Sequence, residues 1–250
     1  MRYLIKFSYD GTNFYGYQRQ PGKRCVEDYI INAVKQINNG IDTKVTSSSR
    51  TDAKVHALCQ EASFVLTVTI TPYKLKRAIN SLIPEDIHVF DAIEVDEDFH
   101  PRYMVKEKTY LYIINMGEYE PTRRNYELQL GYKLDTDKMK KAIKYFEGEH
   151  DFKNFVSEES KKESYVRNIF STEFVEKNNK LYIRFTGNGF MKYQVRNMVG
   201  TLIKIGQNKL EGDIINKILT NDHYKKYVYT AKPQGLYLES IINDKEQYNG

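Results

Sequence analysis

The order of strand-like and helix-like segments in the first hundred residues restricts this chain to an α+β fold. Apolar and polar side chains alternate over residues 3–9, which is the period of a half-buried strand. Apolar residues then recur at helical spacing from Val26 to Ile37, and Asn39-Gly40 provides a stop. A short strand from Lys44 and a longer strand through residues 62–68 follow.

The second helix of this half is predicted to begin with Thr71 as the N-cap and Pro72 at the first helical position. Pro84 closes it. Its predicted buried stripe has three members: Leu75, Ile79 and Leu82. Residues 87–95 supply another strand, so the first half reads β-α-β-β-α-β.

The second half has a similar rhythm. Its predicted elements are a strand at 108–115, a helix from Asp135 or Thr136 to a stop at Gly148, strands near 167–175 and 180–187 with a hairpin turn at 177–179, a long helix through 191–205, a shorter helix near 213–220 and a strand at 236–242. Antiparallel sheets with helices packed on one face are the natural arrangement of such elements. We predict two ferredoxin-like, RRM-like halves, residues 1–104 and 105–250.

Length and composition fit this arrangement. The 250 residues suffice for one large domain or two ordinary ones, and the repeated element order favours two. Charged residues make up 28% of the chain, and no apolar run approaches the roughly 20 residues that cross a bilayer. The N-terminus enters a strand pattern without a signal-peptide core. With Cys25 and Cys59 expected to be reduced core thiols, we predict a cytoplasmic protein without a membrane partner.

Basic residues lie next to aromatic ones at several places along the chain. Lys and Arg total 38 against 33 Asp and Glu, and there are 21 Tyr. The clusters are Lys74, Lys76 and Arg77 by Tyr73; Arg123 and Arg124 by Tyr126; Lys161 and Lys162 by Tyr165; and Lys225 and Lys226 by Tyr224 and Tyr227. Cations for phosphates beside rings for bases are typical of RNA binding, although each cluster alone also fits a solvated surface.

Several chemistries lack their residues. The sequence has no phosphate-binding Gly-rich loop, no dinucleotide turn, no His-Glu-x-x-His, no Cys-x-x-Cys and no Gly-x-Ser-x-Gly. The histidines are scattered and are interpreted as structural or surface residues: His56, His88, His100, His150 and His223. We therefore expect neither a cofactor nor a metal.

Residues 47–56 place an acid and a cation on a tight connection between two strand-like segments. Asp52 follows Arg50 by two positions, so on an extended backbone both side chains face the same side. Such loops carry reactive groups on a rigid scaffold. The alternative is a turn Asp that caps its own backbone beside a surface Arg.

The surrounding sequence resembles a known family. Residues 50–57 are similar to the Gly-Arg-Thr-Asp-Ala-Gly-Val-His-Ala signature of the tRNA pseudouridine synthase A family. Further similar blocks follow in the family's order along nearly the whole chain: residues 9–20, 98–102 with 108–112, 148–155, 190–200 and 235–238.

The resemblance implies an isomerase that needs no cofactor. Uridine becomes pseudouridine when the bond from ribose C1′ to uracil N1 breaks, the base turns, C5 bonds to C1′ and the C5 proton leaves. By resemblance Asp52 is the nucleophile, acting at C1′, at the base or through a glycal route. Tyr110 would stack on the base and help move the C5 proton, and Arg196 would pair with the catalytic carboxylate.

The resemblance also implies how the RNA is bound. Arg50 would fill the space left by the extruded nucleotide, and Leu238 would form an apolar wall of the pocket. The active-site cleft would lie between the two halves. A homodimer that binds tRNA and modifies positions 38 to 40 of the anticodon stem-loop is expected.

Two departures from the family signature affect the choice of RNA. Ser49 and Lys54 stand where the family has glycine, and glycine permits positive φ and close backbone approach. Lys54 could add a phosphate contact. A paralogue acting on rRNA is therefore one alternative, and a non-catalytic RNA-binding module such as a folding chaperone is another. A carboxylate-dependent hydrolase would need Asp10 or Asp98 to fold close to Asp52.

Overall fold

The computed structural model describes residues 1–157 and 163–243, which form two compact units. Unit 1 comprises Met1–Glu107 and the described residues from Leu238 onward, and unit 2 comprises Lys108–Tyr237. The strands are β1 (Arg2–Tyr9), β2 (Thr46–Ser47), β3 (His56–Val65), β4 (Ile87–Val95), β5 (Val105–Asn115), β6 (Leu128–Gln129), β7 (Gly148–Asp151), β8 (Val166–Lys177), β9 (Lys180–Gly187) and β10 (Leu236–Asn243). The α-helices are α1 (Val26–Ile37), α2 (Pro72–Asn80), α3 (Thr136–Ala142), α4 (Gln194–Gly206) and α5 (Ile214–Thr220).

Unit 1 contains the predicted order β1-α1-β2-β3-α2-β4, and the α+β class is confirmed. Its strands lie in the order β4-β1-β3-β10, with β2 beside β3. Strand β1 runs antiparallel to both β3 and β4, so that Ile5 faces Ala62 on one side and Ala92 on the other. Because β10 lies beside β3, residues 238–243 group with unit 1, whereas the predicted division at 104/105 had placed them in the second half.

The helices of unit 1 bury one face each. Helix α1 buries the apolar residues at the predicted spacing: Val26, Ile30, Ala33 and Val34. Helix α2 buries Leu75 and Ile79, and each such side chain stabilises the fold by about 1.5–3 kcal/mol. Pro72 occupies the first helical position as predicted, but Thr71 makes no side-chain capping bond. The helix ends at Asn80, so Leu82 is 40% exposed and its predicted place in the buried stripe was wrong.

Unit 2 contains the strand order β5-β9-β8-β7, with every neighbouring pair antiparallel. The two-residue strand β6 pairs with β5 in parallel, an exception to the predicted antiparallel sheets. The predicted hairpin joins β8 to β9, where Lys177 pairs with Lys180. Asn178 and Asn179 both have positive φ, 52° and 59°, which is the backbone of a type I′ turn and which Asn tolerates well.

Helix α4 begins later than its apolar spacing predicted. Tyr193 has a left-handed backbone with φ of 65°, so the helix begins at Gln194 rather than near residue 191. It is buried on nearly all sides, with Val195, Met198 and Leu202 in the core. Helix α3 begins as predicted, because the Asp135 carboxylate accepts a hydrogen bond from the Lys138 backbone N–H at 3.0 Å. Within residues 1–157 and 163–243, none of the helices has the length and apolar character to span a bilayer.

Candidate active site

The connection from β2 to β3 carries Arg50 and Asp52, as the sequence predicted. Strand β2 ends at Ser47 and β3 begins at His56, so the residues between them form the loop that joins these two paired strands. We call residues 48–55 the Asp52 loop. Asp52 is half-buried, whereas Arg50 and Lys54 are exposed. The loop therefore presents a carboxylate and two cations toward solvent.

Strand β1 and the polypeptide after it hold the Asp52 loop on its C-terminal side. The backbone N–H of Tyr17 donates to the Thr51 carbonyl oxygen at 3.1 Å, and the Lys54 N–H donates to the Phe14 carbonyl oxygen at 3.1 Å. The Tyr9 hydroxyl lies 2.7 Å from Thr51 Oγ1. The approach is close at Gly16, whose φ is +104°, because a Cβ there would lie 2.8 Å from the Thr51 carbonyl oxygen.

The two positions where glycine was expected behave differently. Ser49 is buried and has a negative φ, so a glycine is not needed for its backbone conformation. Lys54 has φ of 64°, the left-handed region that glycine enters without steric cost. The departure at Lys54 therefore places a strained lysine two residues from Asp52.

His56 has a structural position behind the loop. Its ring is buried, and Nδ1 lies 3.0 Å from the Gly11 backbone nitrogen, from which it accepts a hydrogen bond in the neutral ring. Asp10 Oδ1 lies 3.2 Å from the same ring nitrogen. Asp10 also accepts hydrogen bonds from the backbone and hydroxyl of Thr12. The interpretation of His56 as a structural residue agrees with these contacts.

Two buried polar residues of β3 had not been singled out from the sequence. Gln60 and Glu61 are both fully buried, and both contact the start of the Asp52 loop. The signal was present as an adjacent polar pair in a strand that continues into Ala62 and Phe64. Buried polar groups of this kind are normally hydrogen-bonded, and their partners indicate what they hold.

Tyr110 lies on β5 in unit 2. Its side chain is 6% exposed and packs edge-on against Phe190, with ring centroids 5.1 Å apart. Tyr112 follows two positions later and so points to the same face of the strand. Burial raises the pKa of the Tyr112 phenol, and the positive charge of Arg196 opposes part of this shift. The Tyr112 hydroxyl donates to the Lys232 carbonyl oxygen at 2.6 Å, so it contacts the residue next to Ala231, to which Arg196 donates.

Arg196 is fixed in the first turn of α4. Its Nε donates to the Ala231 carbonyl oxygen at 2.8 Å, and the Ala231 N–H donates to the Arg196 carbonyl oxygen at 2.9 Å. The guanidinium carbon lies 4.8 Å from the centre of the Tyr193 ring. These contacts define the direction of the guanidinium group.

The predicted site residues are distributed over both units. Arg50 and Asp52 share one loop of unit 1, and Leu238 is a fully buried residue of β10 in unit 1. Tyr110 and Arg196 belong to unit 2. Asp10 and Asp98, the acids required by a hydrolase, also belong to unit 1.

The basic and aromatic clusters differ in their surroundings. Lys226 Nζ lies 5.3 Å from the Tyr227 ring centre, and the Arg77 guanidinium lies 5.9 Å from that of Tyr73, which is well exposed. Arg123, in contrast, is paired with Glu120 and Glu127. Lys161 and Lys162 of the remaining cluster fall outside the described residues.

In the part of the chain that the structure describes, no three His, Cys, Asp or Glu side chains cluster as a metal site requires. Cys25 is buried and Cys59 is half-buried, and both are free thiols. Burial raises the pKa of each thiol.

Comparison with known proteins gives matches along the chain. A family model described as tRNA pseudouridine synthase matches residues 5–104 and 142–243. The tRNA pseudouridine synthase A of Listeria monocytogenes is 40% identical over 240 residues, which cover 95% of this chain and 97% of the relative. That of Streptococcus mutans is 41% identical over 248 residues, covering 98% and 99%.

The tRNA pseudouridine synthase A of Limosilactobacillus reuteri is 41% identical over 245 residues, covering 96% of each chain. A solved Cbf5-Nop10-Gar1 complex matches at 13% identity and a TM-score of 0.33, with 90% of this chain and 68% of that chain covered. This structural likeness is too weak to bear on fold or function.

Proposed function

Because this chain belongs to the tRNA pseudouridine synthase family and isomerises uridine to pseudouridine in tRNA, we propose that Asp52 is the carboxylate that acts on the target nucleotide. The observation that carries this assignment is the placement of Asp52, half-buried on an anchored loop within the matched region. A carboxylate held in one geometry can attack an electron-poor carbon without reorganising in the reaction. The reaction balances: the N1–C1′ bond breaks and the C5–C1′ bond forms, C5 releases a proton and N1 takes one up, so that no atoms are gained or lost overall.

Arg196 and Tyr110 are the proposed partners in this reaction. The Ala231 carbonyl oxygen accepts from Arg196 Nε, which supports a role for the two terminal guanidinium nitrogens in holding a carboxylate by charge-assisted hydrogen bonds. Tyr110 offers a nearly buried ring for stacking on uracil and a hydroxyl for moving the C5 proton. Its edge-on contact with Phe190 supports a fixed ring orientation.

Arg50 and Leu238 are the proposed binding residues. A base inside a stem must leave the stack before its C1′ can be reached, and the exposed Arg50 is suited to fill the space that it leaves. Leu238 is proposed as the apolar wall that excludes water from the reacting carbons. Neither role requires a metal or a redox cofactor.

The proposed target is positions 38 to 40 of the anticodon stem-loop, bound by a cytoplasmic homodimer. The relatives named tRNA pseudouridine synthase A favour tRNA over rRNA, and they favour an isomerase over a chaperone or a hydrolase.

Two measurements test the homodimer and the target. Sedimentation should give twice the mass of one chain. Pseudouridine mapping in tRNA and rRNA from cells with and without the gene should show loss at positions 38 to 40 alone, and loss at rRNA sites would contradict the proposed target.

Release of tritium from C5-labelled uridine in tRNA tests the role of Asp52. We expect wild type to release tritium and Asp52→Asn to be slower by more than about 10³-fold, because the isosteric amide cannot act as a nucleophile. Asp28→Asn is a matched control, since Asp28 lies on α1 and pairs with Arg19 at the surface. An Asp52→Asn variant as fast as the control would refute the assignment.

A further inference from the structure

The hydrogen bonding between β2 and β3 continues past the end of β2 into the Asp52 loop. Ser47 pairs with Ala62 in the ladder, and the Ser48 N–H donates to the Glu61 carbonyl oxygen at 3.0 Å. At Ser49 the side-chain amide of Gln60 makes the hydrogen bonds that the backbone of a neighbouring strand would make. Its Oε1 accepts from the Ser49 N–H at 3.3 Å, and its Nε2 donates to the Ser49 carbonyl oxygen at 3.1 Å.

Because Gln60 is buried, its side-chain amide depends on these hydrogen bonds. The side chain is fully buried, and an amide placed there without partners would cost several kcal/mol. Gln60 Oε1 also accepts from the Glu61 N–H at 3.1 Å, so its acceptor and its donor are both used. Because an amide has one accepting and one donating end, it can satisfy both backbone groups of Ser49 in only one orientation.

Glu61 holds the preceding residue in the same way. Its buried Oε2 accepts from Ser48 Oγ at 3.1 Å and from Asn243 Nδ2 at 2.7 Å. Lys6 Nζ lies 3.8 Å from Oε1 and supplies the opposite charge. The start of the Asp52 loop is therefore anchored by side chains of β3, while Thr51 and Lys54 are anchored by the polypeptide after β1.

Arg50 lies between these two sets of anchors, and Asp52 lies between the two residues of the second set. A rotation at Ser49 would carry Arg50 with it and would pull on Thr51, so the direction of both side chains depends on Gln60. We propose that Gln60 is a positioning residue for the isomerisation: it fixes the backbone of Ser49 and thereby orients Arg50 and Asp52. This rests on the proposed role of Asp52.

The chain provides a matched control for this proposal. Asn80 makes the same pair of bonds to Val89, with Oδ1 accepting from the Val89 N–H and Nδ2 donating to its carbonyl oxygen, each at 2.8 Å. Asn80 belongs to unit 1 but ends α2, away in sequence from the loop. Loss of the Asn80 amide removes two hydrogen bonds and loss of the Gln60 amide removes three, and of these two amides only that of Gln60 bonds to the Asp52 loop.

The experiment compares Gln60→Leu and Gln60→Glu with Asn80→Leu and Asn80→Asp. Tritium release should show kcat reduced about 10²-fold in Gln60→Leu, because small displacements of reacting groups have effects of this size. The Asn80 variants should lose comparable stability in urea and keep kcat within about twofold.

The pH profile of Gln60→Glu separates positioning from general destabilisation. A neutral carboxyl can both accept from the Ser49 N–H and donate to its carbonyl oxygen, whereas an ionised one cannot donate, and burial raises the pKa of the introduced group. Relative to wild type, its kcat should therefore recover as the pH falls and decline as the pH rises.

Two results would overturn the proposal. One is an equal fall in kcat in an Asn80 variant and a Gln60 variant that have lost the same stability. The other is a Gln60→Glu profile parallel to that of wild type at full activity. If Gln60→Leu does not fold, the near-isosteric Gln60→Glu still decides the question. An inactive wild type would instead refute the proposed function, so the two failures are distinguishable.

Discussion

Lys54 in the Asp52 loop is both an exposed cation and a residue with a strained backbone conformation. It is an exposed cation two positions after the proposed nucleophile, and its φ of 64° is one that a lysine adopts only at a cost of about 1–2 kcal/mol. The Lys54 N–H bond to the Phe14 carbonyl oxygen and the two anchors of Thr51 maintain this conformation. A cation held in a strained position two residues from the proposed nucleophile is suited to contact an RNA phosphate.

Lys54→Gly separates the strain from the charge. We expect the variant to be more stable by about 1 kcal/mol, because glycine adopts this backbone freely, with the gain reduced by glycine's larger unfolded-state entropy. We also expect the salt slope of tRNA binding to fall by about 1, the loss of one phosphate contact. Urea unfolding and filter binding at several salt concentrations measure the two effects.

Asn178→Gly is the matched control. Asn178 also has a positive φ, in the β8–β9 turn of unit 2, and Asn tolerates this conformation better than Lys. Its replacement should change neither stability nor the salt slope appreciably. A destabilised Lys54→Gly variant would show that the lysine side chain stabilises the loop by contacts that outweigh the backbone strain.

At the scale of elements, the position of Arg196 depends on how closely a neighbouring segment approaches α4. A Cβ at Gly200 would lie 1.9 Å from the Tyr229 carbonyl oxygen and 2.8 Å from the Ala231 nitrogen. Ala231 in turn accepts from Arg196 Nε. One glycine in the helix therefore permits the contact that orients a proposed catalytic side chain one turn earlier.

Gly200→Ala should disturb both the fold and the reaction. The added methyl group must displace residues 229–231, and overpacking of this kind costs about 1–3 kcal/mol. Because the Arg196 partner moves with that segment, kcat should fall more than the loss of folded protein explains. Gly212→Ala is the control, since a Cβ there would meet Ala142 at an ordinary 3.6 Å. An unchanged urea midpoint for Gly200→Ala would contradict the close approach.

Local sequence patterns predicted most elements because these depend on neighbours along the chain. The periods of β1 and α1 and the Asn178-Asn179 turn follow from the residues themselves. The patterns failed where tertiary contacts decide. The left-handed backbone of Tyr193 prevents α4 from beginning earlier in the chain. Leu82 lies outside α2, which ends at Asn80.

The candidate site shows the same division. The motif around Asp52 can be found in the sequence, because its residue types are adjacent in the chain. The role of Gln60 cannot be found in this way, since it depends on the register that brings β2 against β3 and places Ser49 next to the Gln60 amide. Likewise, the contact of Arg196 with Ala231 joins residues 35 positions apart.

At the scale of the whole molecule, charge favours an anionic partner. The formal net charge is +5, and basic side chains lie beside exposed tyrosines in both units, Arg77 beside Tyr73 and Lys204 beside Tyr229. Binding through several phosphate contacts releases counterions, so the affinity for tRNA should fall at least about tenfold between about 50 and 200 mM salt. Filter binding measures this salt dependence. An affinity that does not change with salt would show that the phosphate backbone of the tRNA is not the main contact.

The division of the chain into units also has a consequence for how it is made on the ribosome. Unit 1 needs β10 beside β3, and Asn243 donates to the buried Glu61. These residues are synthesised only after the whole of unit 2, so throughout that interval one edge of β3 and the carboxylate of Glu61 lack their final neighbour. The Asp52 loop is thus synthesised early but completed late, and a nascent chain stalled before residue 238 should be inactive even though every proposed site residue except Leu238 has been translated.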